Sequence, residues 1–152
     1  MEITIDKITE RVVREAALRF ISEQADILNI NSAELGEVRI TNTDSDYLWD
    51  VFITREVGGI PVRYANVSLG INHGNVSLWG VEKWGDIRLD LVPRIDKEQA
   101  LVIGFNYIGG RLITDILTQE PQLEIVPIAP QWDGTIGRGY DHALVWSFIF
   151  KR

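Results

Sequence analysis

The chain opens on a helical period and then changes to a period of two. From about Asp6 to Leu28, the apolar residues Val13, Ala16, Ala17, Phe20 and Leu28 recur at helical spacing. Arg11, Arg14, Glu15, Arg19 and Glu23 fall mostly elsewhere on the wheel. This predicts a first helix with Asp6 as its N-cap, and an apolar stripe that another layer must cover. After the loop NINSAELG, the short run GEVRIT reads as a strand. In YLWDVFITREV, Trp49, Val51 and Ile53 alternate with Leu48, Asp50 and Phe52, which predicts a second strand. Gly58-Gly59 supplies the backbone freedom for a reversal. Pro61 then falls at the opening of the next strand, where a missing N–H is tolerable.

The tetrapeptide NVSL occurs twice, at 66–69 and 75–78, with His73-Gly74 between the copies. A two-residue turn at His73-Gly74 sets Ile71 opposite Val76, Leu69 opposite Leu78 and Val67 opposite Gly80. Asn66, Ser68, Gly70, Ser77 and Trp79 are then left on the polar face. The echo is thus two strands of one hairpin. Residues 84–93 read as a connector or a last strand, with a soft boundary there. The run DKEQALVIGFNYI predicts a second helix, with Asp96 as N-cap, Gln99 completing a capping box and Gly109-Gly110 as the stop. QLEIVPIA and ALVWSFIF are two further strands. The turn-rich PQWDGTIGRGYDH, which carries Trp132 and Asp133, separates them. Strands that follow one another through short turns predict antiparallel sheets, and the expected class is α+β.

Composition narrows the function classes. The chain has 152 residues, 45% of them hydrophobic and 24% charged, enough to bury a core. Acidic residues outnumber basic ones 22 to 15, for a net charge of −7. No basic run offsets this, so a nucleic-acid partner is not expected. There is no cysteine, which excludes disulfides and thiolate chemistry. No apolar run approaches the ~20 residues of a membrane span, so no membrane insertion is expected. The start MEITIDKITE lacks the basic and apolar parts of a signal peptide.

Candidate chemistry is sparse. His73 reads as a turn histidine and His142 as a strand-start histidine, with no HExxH around either. No GxSxG is present, and GGIP, GINHG and GTIGRG read as turns rather than phosphate loops. Asp44, Asp46, Asp50, Asp86 and Asp90 do not follow a calcium-loop spacing and read as solvated surface. The expectation is therefore no catalytic, cofactor or metal residue. The five tryptophans are many for this length. Trp146, in an apolar strand, reads as core. Trp79, Trp84, Trp132 and the neighbouring Asp133 are the candidate partner contacts. Both NVS triplets are formal N-glycosylation acceptors.

Together these stretches resemble a known pair of modules. AALRFISEQADILNI, then EVRI, then WDVFITREVGGIPVRYANVSLGINHGNVSLWG, resembles the fungalysin/thermolysin propeptide motif, and Gly59-Ile60-Pro61-Val62 is the most specific match. PRIDKEQAL followed by QLEIVPIA and ALVWSFIF resembles the PepSY domain that usually comes next in such pro-regions. The resemblance implies two cystatin-like units, at 1–90 and 91–152, each a helix laid across an antiparallel sheet. It implies an extracellular or cell-surface setting. It also implies a non-catalytic role as inhibitor and folding aid of a secreted thermolysin-like zinc metalloprotease, with that protease domain, in cis or trans, or another protein domain as partner. The chain departs from the pattern at Ile53-Thr54-Arg55, where the family commonly has a glutamine. It also lacks the closing strands and the protease domain, which reads as a piece of a longer chain or a stand-alone relative. The alternative is an extracytoplasmic binding or scaffolding module of a larger surface protein.

Overall fold

The computed structural model describes residues 8–43, 47–129 and 140–152. The class is α+β, with two helices and a mixed sheet of six strands. In chain order the elements are α1 (Glu10–Leu28), a 3₁₀ turn at Ser32–Glu34, β1 (Leu35–Asn42), β2 (Leu48–Val57), β3 (Ile60–Asn72), β4 (Asn75–Glu82), α2 (Lys97–Tyr107), β5 (Ile116–Ile128) and β6 (Asp141–Lys151). Hydrogen bonding orders the strands β1-β2-β3-β5-β6, with β4 also paired to β3. The chain divides into two compact units. One is Met1–Val57 with Tyr64–Trp84, and the other is Gly58–Arg63 with Gly85–Arg152.

In the first unit, α1 begins at Glu10 with Thr9 as its cap, the Thr9 hydroxyl accepting from the Val12 N–H at 3.4 Å. The expected cap, Asp6, lies outside the described residues. The helix ends at Asn29, which takes the left-handed φ of 52° that short polar side chains tolerate. The Ile30 N–H then reaches back to the Ala25 carbonyl at 3.0 Å. Val13, Ala17 and Ile21, four residues apart, are the buried line of α1. They meet Val51 and Ile53 of β2, and Val67, Leu69 and Ile71 of β3, with Ile30 and Trp84 completing the core.

The hairpin of β3 and β4 turns where the sequence places it. His73 and Gly74 have φ of 49° and 77°, the left-handed pair that a tight turn of this hand requires. Asn72 faces Asn75 and Ile71 faces Val76. Beyond that the expected register is corrected. Ser77 and Leu78 together oppose Gly70, a β-bulge, and the Ser77 hydroxyl donates to the Gly70 carbonyl at 3.1 Å. Leu69 therefore faces Trp79, not Leu78, and Val67 faces Val81, not Gly80. One extra residue has exchanged the faces of everything after it.

In the second unit, α2 starts at Asp96 with the full capping box. The Asp96 carboxylate accepts from the Gln99 N–H at 2.8 Å, and the Gln99 side chain accepts from the Asp96 N–H at 3.0 Å. It stops at Gly109 and Gly110, with φ of 90° and 102°, and the Gly110 N–H reaches the Phe105 carbonyl at 2.7 Å. Val62, Ala100, Phe105 and Ile125 are the most buried apolar residues of this unit. Phe105 packs on Phe148 and Phe150, at centroid separations of 5.6 and 5.0 Å. β5 starts at Ile116, earlier than the expected QLEIVPIA. Pro121 falls where the β5–β6 register shifts, so its missing N–H leaves no regular ladder bond unmade.

The expectation of purely antiparallel sheets is also corrected. β5 runs antiparallel to β6 but parallel to the start of β3, with Val62 opposite Ile125. The long connection from β3 to β5, which carries β4 and α2, gives the chain room to re-enter in the same direction. The connector after Trp84 forms no helix or strand before α2. Among the described residues, no helix is long and apolar enough to cross a membrane.

Candidate functional site

The bulge at Ser77 shapes the most conspicuous surface of the first unit. It turns Leu78 onto the face of Gly70 and Trp79 onto the face of Leu69, so β4 carries one large apolar side chain on each of its two faces. Leu78 is 72% exposed and Trp79 is 50% exposed. Among the described residues β4 pairs with β3 and with no other strand, which makes this an edge. Trp79 thus does not lie on the hairpin's polar face, yet half of its surface remains open to a partner. Leu78 was hidden from sequence reasoning because the unbulged register buries it.

Trp84 is a different case. It is 8% exposed and belongs to the core, so it offers no contact surface. Its ring lies 5.1 Å from the Arg55 guanidinium. Arg55 is 3% exposed and donates through Nε and Nη2 to Glu34 Oε2, at 2.7 and 2.6 Å, and through Nη1 to the Lys83 carbonyl at 3.3 Å. Arg55, in the run Ile53-Thr54-Arg55, is therefore a buried arginine tying the 3₁₀ turn to the end of β4. Trp132 and Asp133 lie outside the described residues.

The second unit has a cleft of about 770 Å³ where the connector, α2 and β6 meet. Arg88, Arg94, Ile95, Ile103, His142 and Trp146 are among its walls. Trp146 is half-buried rather than core, and its Nε1 donates to the Ile95 carbonyl at 2.9 Å. A smaller cleft of about 440 Å³ includes Arg63, Glu124 and Ser147. There the Arg63 Nε donates to Glu124 Oε2 at 2.7 Å, and the Ser147 hydroxyl donates to Glu124 Oε1 at 3.1 Å. The carboxylate and the guanidinium are thereby committed to each other.

Most of the remaining titratable groups make local contacts. His73 stacks on Tyr47, centroids 4.4 Å apart, and its N–H donates to the Tyr47 carbonyl at 2.9 Å. Asp50 accepts from the Thr43 hydroxyl, Asp86 lies 3.6 Å from Arg88, and Asp90 accepts from the Val92 N–H. Asp44 and Asp46 lie outside the described residues, as does the GTIGRG loop. Asp115 is buried, accepting from Arg152 at 3.0 Å and from the Leu112 N–H at 2.7 Å. The Arg152 hydrogen bonds hold its carboxyl below the usual carboxylate range, against the opposing effect of burial. Among the described residues, no three of His, Cys, Asp and Glu group as a metal site would need.

The chain matches no family model, no curated protein and no solved structure.

Proposed function

We propose that this chain is a non-catalytic, propeptide-type module that binds a secreted thermolysin-like zinc metalloprotease. In this reading its two halves are cystatin-like units, and they act as an inhibitor and an intramolecular folding aid. The observation that carries the reading is the edge of β4, where the consecutive residues Leu78 and Trp79 stand exposed on its two faces. An adjacent leucine and tryptophan on a strand edge are the sort of anchor that protein interfaces bury. Further support comes from the order of the elements. A helix, strands, a Gly-Ile-Pro-Val turn and a glycine-tipped hairpin precede a capped helix and two strands, as in that family of pro-regions.

The mechanism needs no reactive centre in this chain. A surface that binds the native or near-native protease and not its unfolded form shifts the folding equilibrium by mass action. Tethering in one polypeptide raises the effective concentration to the millimolar range and strengthens that shift. The test is inhibition. The purified chain, at about micromolar concentration, slows peptide cleavage by the cognate metalloprotease, and Trp79→Ser weakens that effect about tenfold or more. Unchanged cleavage at saturating chain would rule the reading out.

A further inference from the structure

The edge of β6 points to a second association, independent of the protease reading. β6 pairs with β5 on one side and, among the described residues, with no strand on the other. Its sequence is DHALVWSFIFK. Between Ala143 and Phe150 it has no charge and no proline, and its outer side lacks the usual devices that keep strand edges apart. From Ala143 to Phe150 this outer side has no strand partner among the described residues, and a free row of backbone donors and acceptors calls for another extended strand.

The flank of the same edge is apolar as well. α2 lies over β6 so closely that a Cβ on Gly104 would stand 2.6 Å from Phe148 Cζ. Beside that contact Val102, Ile103 and Ile95 are 61%, 57% and 37% exposed. Ile103 and Ile95 line the same cleft as Leu144, Trp146 and Phe148 of β6. The cleft thus joins the exposed flank of α2 to side chains of β6.

Charge decides what fits there. β6 begins at Asp141 and ends at Lys151, and among the described residues neither is in an ion pair. An antiparallel copy of β6 with Trp146 opposite Trp146 sets Asp141 against Lys151 at both ends and Leu144 against Phe148. The strand is its own complement, in charge and in apolar face. We propose that two copies of this chain pair their β6 edges antiparallel about a two-fold axis at Trp146. The pairing extends the sheet and brings the two α2 flanks together, so that the same surface is buried on both protomers.

Sedimentation of the full chain from about 1 to 200 μM tests this, and a reversible monomer–dimer equilibrium within that range is expected. Asp141→Lys sets like charges opposite each other and weakens the dimer about tenfold, while Asp141→Lys with Lys151→Asp restores it to within about threefold. A monomer throughout the range overturns the proposal, as does a dimer indifferent to the single swap or not rescued by the double one. Amide exchange on the unaltered chain is the check if a variant misfolds. Slower exchange of β6 amides at higher protein concentration supports the pairing, and concentration-independent exchange contradicts it.

Discussion

The guanidinium of Arg55 closes on a single oxygen of Glu34, with Nη2 at 2.6 Å and Nε at 2.7 Å, inside the core of the first unit. The arginine side chain is 4% exposed and the glutamate 20%. A charge so deep depends on partners such as this carboxylate and the Lys83 carbonyl. Glu34→Ala removes the carboxylate that accepts from Arg55 Nε and Nη2 and destabilises the chain by about 3 kcal/mol. Replacing both, with Glu34→Leu and Arg55→Met, costs less than the single change, because no buried charge remains. Urea denaturation of the three proteins measures this, and a double variant less stable than Glu34→Ala would contradict it.

The Asp96 box governs the start of α2. Asp96→Ala removes the acceptor for the Gln99 N–H and lowers stability by about 1 kcal/mol, with Gln99→Ala costing less. The same denaturation experiment reads both. A neutral Asp96→Ala would mean that packing of Phe105 alone holds the helix.

Gly104 is a glycine for reasons of space. A Cβ there would meet the Phe148 ring at 2.6 and 2.9 Å, and Phe105 and Phe150 pack against that ring. Alanine gains about 1 kcal/mol of helix propensity but forces the aromatic cluster apart at a cost of about 1–3 kcal/mol. The expected outcome is a net loss for Gly104→Ala, with a changed near-ultraviolet circular dichroism spectrum from the phenylalanines. A gain in melting temperature would show that the cluster yields.

Asp115 gives the second unit an acid sensitivity of known sign. Its Arg152 hydrogen bonds lower the carboxyl's pKa in the folded state. The carboxylate therefore stabilises the fold fully above the ordinary aspartate value of about 4, and that contribution fades as pH falls toward the folded value. Asp115→Asn melts at a lower temperature than the parent near pH 7. The gap narrows below about pH 4. A gap that stays constant on acidification would contradict the pairing with Arg152.

Much of this architecture is legible in the chain itself. The spacing of Val13 and Ala17, the alternation through Val51 and Ile53, the His73-Gly74 turn and the Asp96–Gln99 box are local signals, and each forms where the residues put it. What escaped is non-local or depends on one residue. Nothing in NVSLW marks Ser77 as a bulge, because its hydroxyl finds the Gly70 carbonyl only once the strands have paired. The same slip hid Leu78 and misplaced Trp79. The parallel pairing of Val62 with Ile125 joins segments far apart in sequence, and neither run carries a mark of strand direction. Trp84 looked like a connector residue because it follows the end of β4, yet it packs in the core with the Arg55 guanidinium 5.1 Å from its ring.

The central claim is that the β4 edge is a docking surface for a metalloprotease. Calorimetric titration of the cognate zinc-protease domain with the parent chain and with Leu78→Ser/Trp79→Ser tests it most directly. Both residues are at least half exposed, so the variant keeps its fold, which circular dichroism verifies. The account predicts saturable one-to-one binding by the parent and a loss of about a hundredfold or more in the variant. Equal heats from both proteins, or none from the parent, would contradict it.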